Sequence, residues 1–376
     1  MASRLLDIQQ ETSAAELTAS STVLLGDLAK RGAATPAGEA IRSLLQGTSS
    51  AVTSSDVIYS RPPGGDNPHS LQCRHDTCCI WSHIVPEMVR VFLADNGTRC
   101  SSLARNAIRM GFHDAAAWNT SMPVPQLAIT RNIGSGGADG SILLSEGEID
   151  RLENSGLKNY GNLVLSWHGG FNDYARKYDQ ETGDAVSVAD LIQMAAVVAT
   201  VTCPGGPRIR VFVGRPDVAA DTPPPPLGMI PAPTYNASTI IDMFAAKTLS
   251  ATDLVALLGA HTVSQQFFVD KMYAGQPQDT THGVFDTRYY TETGAEKAPA
   301  GIYRFQSDLS VATHPATQPL WKQYSGAGVD GDADTHRQWT DAYAQAYFRL
   351  SLLGVHNLNG MTDCSGVVPQ TIDIFG

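Results

Sequence analysis

Arg109 and His113 lie four residues apart in the stretch Leu103–Asn119, LARNAIRMGFHDAAAWN. Ile108, Phe112 and Ala116 recur at helical spacing, so the stretch reads as one helix with both side chains on one face, a turn apart. A guanidinium that keeps its charge, stacked beside a titratable imidazole, can polarise a small molecule held between them. The same spacing would also suit a salt-bridged surface face, and Asp114 points elsewhere. A second histidine, His261, shares an apolar helical stripe with Leu254, Leu257 and Leu258. In that setting a histidine is either a hydrogen-bonded core residue or a ligand.

Each histidine is followed by a loop rich in hard oxygens. The first, Gly134–Ser141 (GSGGADGS), has the glycines of a phosphate cradle. It lacks the closing Lys-Ser/Thr and a preceding strand, and it carries Asp139 instead. Glycine carbonyls, Asp139, the Ser141 hydroxyl and Asp114 make a calcium donor set rather than a phosphate one. The second loop, Asp279–Asp286 (DTTHGVFD), repeats the theme around a Gly turn, with Thr262 available from the end of the His261 helix. Asp308 follows in RFQSD.

The elements that must position these groups are mostly helical. GEIDRLENSGL reads as a helix ending near Asn154. Ser187–Val201 is a small-residue helix with the character of a buried one, ended by Cys203-Pro-Gly-Gly-Pro207. Ser250 with Asp253 three residues on forms a capping box that starts the His261 helix. The proline runs Pro223–Pro226 and Ile230–Pro233 read as extended wall. A last helix is expected over Gln338–Leu353. Alternating strand pattern is sparse, so the fold should be mainly α. Residues 1–70 differ: they are rich in Ala, Ser and Thr, contain no Cys, and hold two amphipathic segments, Ala14–Ala29 and Ala37–Leu45. Lys30-Arg31 between them reads as a helix end rather than a processing site, and Ser60–Asp66 as a linker.

Composition narrows the partners. With 376 residues and 43% hydrophobic content, the chain can bury a large core. A net charge of −11 and the lack of a basic run argue against nucleic acid. The longest apolar run, Met194–Val201, is too short to span a bilayer. Six cysteines and three sequons, at Asn96, Asn119 and Asn236, point to an oxidising compartment and a secreted protein lacking its leader. Cys78 and Cys79 are adjacent and should reach different partners; six cysteines allow 15 pairings, and spacing alone leaves them open.

Taken together, these pieces resemble the plant-type haem peroxidase superfamily, and within it the secreted fungal (class II) branch. The matching motifs are Arg109-x-x-Phe112-His113-Asp114, Gly136–Ser141, Cys203–Pro207, Gly214-Arg-Pro-Asp217, Leu254–Thr262, Phe285-Asp286 and Asp363-Cys364-Ser365, in family order across roughly residues 71–376. The resemblance implies a haem peroxidase fold of two helical halves enclosing haem b, distal at about 71–210 and proximal at about 211–376, after an N-terminal extension at 1–70. His261 would ligate the iron, and Asp308 would hold its other ring nitrogen. His113 would move the peroxide proton, Arg109 would stabilise the charge of O–O cleavage, and Asn154 would hold His113. Phe112 and Pro231 would border the haem. Two calcium ions are implied, a distal one at Asp114, Gly137, Asp139 and Ser141, and a proximal one at Thr262, Asp279, Thr281, Val284 and Asp286. The implied disulfides are Cys73–Cys79, Cys78–Cys364 and Cys100–Cys203.

The departures bear on substrate. Ser102, Asn106 and Phe267 stand where manganese-oxidising relatives carry acids, so no manganese site is expected. Ala256 replaces the surface Trp of lignin-oxidising relatives, leaving Trp118, Trp167 and Trp339 as candidate relays. Gln278 replaces an aromatic under the haem. The implied activity is oxidation of small phenols by hydrogen peroxide, past Pro231 and Ala232, in a monomer that binds neither nucleic acid nor membrane. Two alternatives are a ligninolytic enzyme working through a surface aromatic and a non-catalytic calcium-binding extracellular glycoprotein.

Overall fold

Apolar residues that recur at helical rather than alternating spacing make this a chain of helices joined by turns. The computed structural model describes residues 21–122, 136–178, 186–219, 221–326 and 332–375. Among the described residues two short helices come first, α1 (Gly26–Arg31) and α2 (Pro36–Leu45). Thr35 caps α2, its hydroxyl accepting from the Gly38 N–H, and Pro36 takes the first helical position. Ile41, Leu44 and Leu45 join the main core. The predicted helix at Ala37–Leu45 is therefore present, one residue longer. Residues 14–20 of the other predicted segment lie outside the described residues; its described part becomes helical only at Gly26 and stops after Arg31, where Gly32 turns to φ 69°.

All three implied disulfides are formed: Cys73–Cys79, Cys78–Cys364 and Cys100–Cys203. The first two staple α3 (Thr77–Phe92) to the chain before it and to the C-terminal segment. Strand β1 (Leu93–Ala94) then pairs antiparallel with β2 (Arg99–Cys100), and α4 (Ser102–Ala115) follows with Ser101 as its cap. The helix ends at Ala115, not at Asn119 as the periodicity suggested. The Asn119 side chain accepts the Ser121 N–H (3.0 Å), and the Thr120 N–H turns to the Ala246 carbonyl (2.9 Å), drawing the chain off the helix axis. The helix expected before Asn154 is a run of turns closed by a 3-10 turn, Leu152–Asn154; Gly147 and Gly156 take positive φ on either side of it.

Next come α5 (Lys158–Tyr178) and α6 (Val188–Thr202). Every residue of α6 is buried, and it packs against α3, α4 and α5. The Asp217 carboxylate accepts the first two α6 N–H groups, from Val188 (3.0 Å) and Ala189 (2.8 Å). Arg215, from the same Gly214–Asp217 motif, pairs with Asp190 at 2.9 Å inside the core. Strand β3 (Phe212–Val213) pairs with β4 (Thr362–Asp363).

The second half holds α7 (Ala237–Ala245), α8 (Ala251–Leu258), α9 (Arg288–Gly294), α10 (Gln306–Thr313), α11 (Gln318–Tyr324) and α12 (Ala333–Leu350). The expected capping box of Ser250 and Asp253 starts α8. The last helix lies further back than Gln338–Leu353, because Asp332 caps it early, accepting the Thr335 N–H (3.1 Å), and residues 351–353 form a turn. α12 packs on α8, and it reaches α4 through Tyr347. It therefore backs both histidine-bearing segments.

Candidate active site

His113 sits on the last turn of α4, buried, and its Nδ1 lies 2.8 Å from Asn154 Oδ1. The Asn154 amide has one orientation, since its Nδ2 donates to the Glu148 carbonyl at 2.8 Å. Asn154 Oδ1 is therefore an acceptor, His113 Nδ1 carries the proton, and Nε2 is left with its lone pair. Burial, and then the Arg109 charge, push the His113 pKa down to about 3 against the Asn154 bond. The imidazole is neutral across the physiological range. Arg109 is half-buried; Nη1 donates to the Ser155 carbonyl (2.8 Å) and Nη2 to the Glu153 carbonyl (2.6 Å). These bonds aim the guanidinium without neutralising it, although burial lowers its pKa to about 10.

His261 lies beyond the end of α8, in a 3-10 turn, Gly259–Val263, rather than on the helix that its apolar stripe suggested. Its Nδ1 is 2.8 Å from Oδ2 of the buried Asp308, whose Oδ1 accepts the Ser307 hydroxyl at 3.0 Å. A carboxylate there requires a donor at Nδ1, so this ring too presents a bare Nε2. Phe305 and Tyr289 meet the imidazole edge-on, at 5.6 and 5.7 Å between centroids. The Ser307 N–H donates to the Pro233 carbonyl at 3.0 Å, which seats the Pro231–Pro233 wall against the start of α10. Phe112 stacks on Phe244 at 6.2 Å and so ties α4 to α7.

Two glycines let α12 set both imidazoles. A Cβ at Gly111, two residues before His113, would lie 2.6 Å from the Ala196 Cβ and would strike the Tyr347 hydroxyl. Tyr347 in turn donates to Gln193 Oε1 (3.0 Å), and Gln193 Nε2 donates to the Gly111 carbonyl (3.1 Å). A Cβ at Gly259, two residues before His261, would lie 2.5 Å from the Trp339 ring, whose Nε1 donates to the Ala256 carbonyl at 3.0 Å.

Carboxylates, hydroxyls and backbone groups lie close together in the described part of each oxygen-rich loop. Beside α4, Asp114 accepts the Gly140 N–H (3.2 Å) and the Ile142 N–H (3.4 Å); Asp139 accepts from Ser141 (3.0 Å) and Gly136 (3.1 Å). Gly134 and Ser135 lie outside the described residues. Among the described residues, the buried Ser141 hydroxyl and Glu148 Oε2 make no hydrogen bond of good geometry, although Ser141 lies close enough to lower the pKa of both Asp139 and Glu148. Burial and the Asp139 charge raise the Asp114 pKa well above the carboxylate range, and burial lifts Glu148 to about 7. At the other loop, the Thr262 hydroxyl is 2.5 Å from Asp279 Oδ2, 3.2 Å from the Val284 carbonyl and 3.3 Å from Asp286 Oδ1. The Thr281 N–H and hydroxyl both face Asp279 Oδ1. Burial and the Asp286 charge raise Asp279 in the same way. Crowded buried carboxylates, hydroxyls and carbonyls give both loops the donor chemistry of a hard cation. Among the described residues, the one cluster of three or more His, Cys, Asp or Glu ligand atoms is Cys73, Cys79 and His83, and its two cysteines form a disulfide.

A family model described as peroxidase matches residues 89–327, which carry Arg109, His113, Asn154, His261 and Asp308. The chain belongs to the peroxidase family. A peroxidase of Arthromyces ramosus is 28% identical over 82% of this chain and 79% of its own length. Ligninase LG5 of Phanerodontia chrysosporium is 30% identical over 78% and 75%. A low-redox potential peroxidase of Taiwanofungus camphoratus is 32% identical over 65% and 70%. The fold is the mainly α one of this family, and the enzyme is a haem-dependent peroxidase.

The residues present fit the haem that the family implies. Among the described residues His261 Nε2 makes no hydrogen bond, and the side chain is 33% exposed in the protein alone while its partner Asp308 is 1% exposed. Among the groups that residue type and spacing did not single out are the Glu148 carbonyl, Gln193, Tyr347 and the structural role of Trp339. Glu148 acts through a backbone carbonyl, which no side-chain pattern reveals. Trp339 is fully buried against Gly259, so it is no surface relay; Trp118 and Trp167 are half-buried. Ala256, where a surface Trp was absent, is buried as well.

Proposed function

We propose that this peroxidase binds haem b, which His261 would hold, and that Arg109 and His113 would serve the cleavage of hydrogen peroxide. The observation that carries the proposal is the matched pair of imidazoles, each held by a buried oxygen at 2.8 Å on Nδ1 and each left with a bare Nε2. Bound haem would supply the iron that takes up the two oxidising equivalents of peroxide. His113 Nε2 would accept a proton from one peroxide oxygen and return it to the other, which leaves as water. The Arg109 guanidinium, held by two carbonyls, would stabilise the negative charge that builds on the departing oxygen. Asn154 would keep His113 in the accepting tautomer, and the Asp308 carboxylate would strengthen His261 as a donor to the metal. Phe112 and Pro231 would border the haem, and small phenols would approach past Pro231 and Ala232.

We further propose calcium at the Asp114, Gly137, Asp139, Ser141 cluster and at the Thr262, Asp279, Thr281, Val284, Asp286 cluster, each pinning the loop beyond one imidazole. Ser102, Asn106 and Phe267 offer no carboxylate for manganese, so aromatic donors are the substrates. The three disulfides and the exposed Asn96 and Asn236 sequons support a secreted glycoprotein, and we take it to be a monomer. No described helix is long and apolar enough to cross a membrane. Membership of the peroxidase family, with both imidazoles in place, sets aside the reading of a non-catalytic glycoprotein. The test is the absorption spectrum of the haem-loaded protein before and after one equivalent of peroxide, then after a phenol and after Mn(II). A Soret band that shifts with peroxide and returns with the phenol is expected. A spectrum indifferent to peroxide would refute the proposal.

A further inference from the structure

We infer that Arg99, Arg105 and His282 form a binding site for a small dianionic oxyanion, a dicarboxylate or inorganic phosphate, where α4 meets the loop beyond His261. The site is separate from the peroxide chemistry proposed above and does not rest on it. Arg105 stands one turn before Arg109 on α4, and its Nη2 donates to Gln265 Oε1 at 2.7 Å. That amide has one orientation, because Gln265 Nε2 donates to the Gly275 carbonyl at 2.9 Å. Arg105 Nη1 faces the Cys100 carbonyl at 3.4 Å, and the Cys100 N–H donates to the Gly283 carbonyl at 2.8 Å. A Cβ on Gly283 would lie 3.2 Å from the Arg99 Cβ, so the chain at His282 and Gly283 lies against Arg99. Two guanidiniums and an imidazole thereby come together from β2, α4 and the loop that follows His261.

Neither guanidinium is neutralised by the protein. Arg42, Arg90, Arg210, Arg215 and Arg337 each pair with a carboxylate, whereas among the described residues Arg99 and Arg105 form no ion pair. The printed partners of Arg105, an amide oxygen and a backbone carbonyl, carry no charge. Both arginines are half-buried. Burial, and then the charges of Arg99 and Arg105, push the His282 pKa down, which places both guanidiniums within electrostatic reach of one ring; Asp95 acts the other way. Asp95 is exposed on the turn between β1 and β2, where water and salt screen it. In a chain of net charge −11, two uncompensated arginines converging on one imidazole make a local positive field that an anion would complete.

A guanidinium presents parallel N–H groups that match two oxygens of a carboxylate or phosphate, through charge-assisted bonds. Two such forks on separate elements suit a ligand with two negative charges, one for each. The imidazole adds a further donor, since even its neutral form keeps one N–H. An occupant bridges β2, α4 and the loop beyond His261, and it stabilises the folded protein by mass action.

The test is equilibrium dialysis of the haem-loaded, calcium-saturated protein against radiolabelled malonate or radiolabelled inorganic phosphate at fixed ionic strength. Thermal melting is followed in parallel by circular dichroism. Wild type is compared with Arg99→Gln, Arg105→Gln, the double variant, and Arg337→Gln as control. The expected result is one saturable anion per chain in wild type and control, bound about tenfold more weakly by each single variant and not measurably by the double variant. The anion should raise the melting temperature of wild type and leave that of the double variant unmoved. Should the double variant not fold, Arg99→Lys with Arg105→Lys takes its place, since it keeps both charges and loses both forks. The anion that displaces the other identifies the ligand as an organic acid or as phosphate. Binding that the double variant keeps within twofold would overturn the site, as would no saturable binding to wild type at millimolar anion. Variants that shed haem, with a wild type that binds neither anion, would assign the arginines to the haem's own carboxylates and overturn the external site.

Discussion

The His113 tautomer depends on a chain of three groups, Glu148 carbonyl, Asn154 amide and imidazole, and each link predicts a measurable loss. If His113 is the proton carrier proposed above, replacing it by Leu should lower the stopped-flow rate with peroxide about 10²- to 10⁴-fold. Asn154→Ala leaves the base present but free to tautomerise, so a loss of about 10- to 100-fold is expected, of the size seen for residues that orient a ligand. Behind His261, Asp308→Asn turns an acceptor-only group into an amide and should shift the Soret band and weaken haem retention on gel filtration. The pH dependence follows from the depressed His113 pKa of about 3. Its folded pKa lies below the ordinary value of 6.5, so the unfolded chain binds more protons between those limits. This imidazole's contribution to stability is whole above pH 6.5 and is lost as pH falls towards 3. The peroxide rate should therefore hold level down to about pH 4, since the neutral base persists there; a rate that halves near pH 6.5 would contradict the buried, Arg109-facing histidine.

At the scale of elements, both histidine segments are pressed against α12 at a glycine, and that is where the sequence was least legible. The four-residue spacing of Arg109 and His113, the capping box at Ser250 and the small-residue run of α6 were readable because each is a local pattern with a local cause. Gly111 and Gly259 were not readable, because their need is a ring from a helix some 80 or more residues away in sequence. Trp339 occupies the space that a side chain at Gly259 would fill, at the point where α8 gives way to the 3-10 turn of His261. The turns before Asn154 escaped for a related reason, since a helical-looking pattern there yields to two glycines at positive φ. Gly111→Ala and Gly259→Ala should each overpack the core and cost about 1–3 kcal/mol, read as a lower urea midpoint. Haem binding should loosen with them. Gly169, inside α5, is the control: an added Cβ there would meet nothing within 4 Å, and its Ala variant should gain about 0.5–1 kcal/mol from helix propensity.

For the molecule as a whole, the question is what lets so many carboxylates be buried in a chain of net charge −11. Asp114, Asp139 and Glu148 crowd behind α4, and Asp279 and Asp286 crowd beyond His261, every one with a pKa raised chiefly by burial. Without a cation, such groups favour the protonated folded form. Their contribution is then present below the unfolded carboxylate pKa and lost as pH rises through the higher folded value. A bound calcium ion removes that loss, because it takes the proton's place as the neutralising charge. The calcium-dependent part of the melting temperature, measured as the difference between calcium-loaded and chelated protein, should therefore grow steadily from pH 5 to pH 8. Taking the difference cancels the opposite trend of His113, which is the same in both samples. The chelated protein should also show a changed Soret band, since the loops beyond α4 and beyond His261 then lose their anchor. A calcium increment that stays flat with pH, with metal removal verified, would mean that these carboxylates are satisfied by the protein alone.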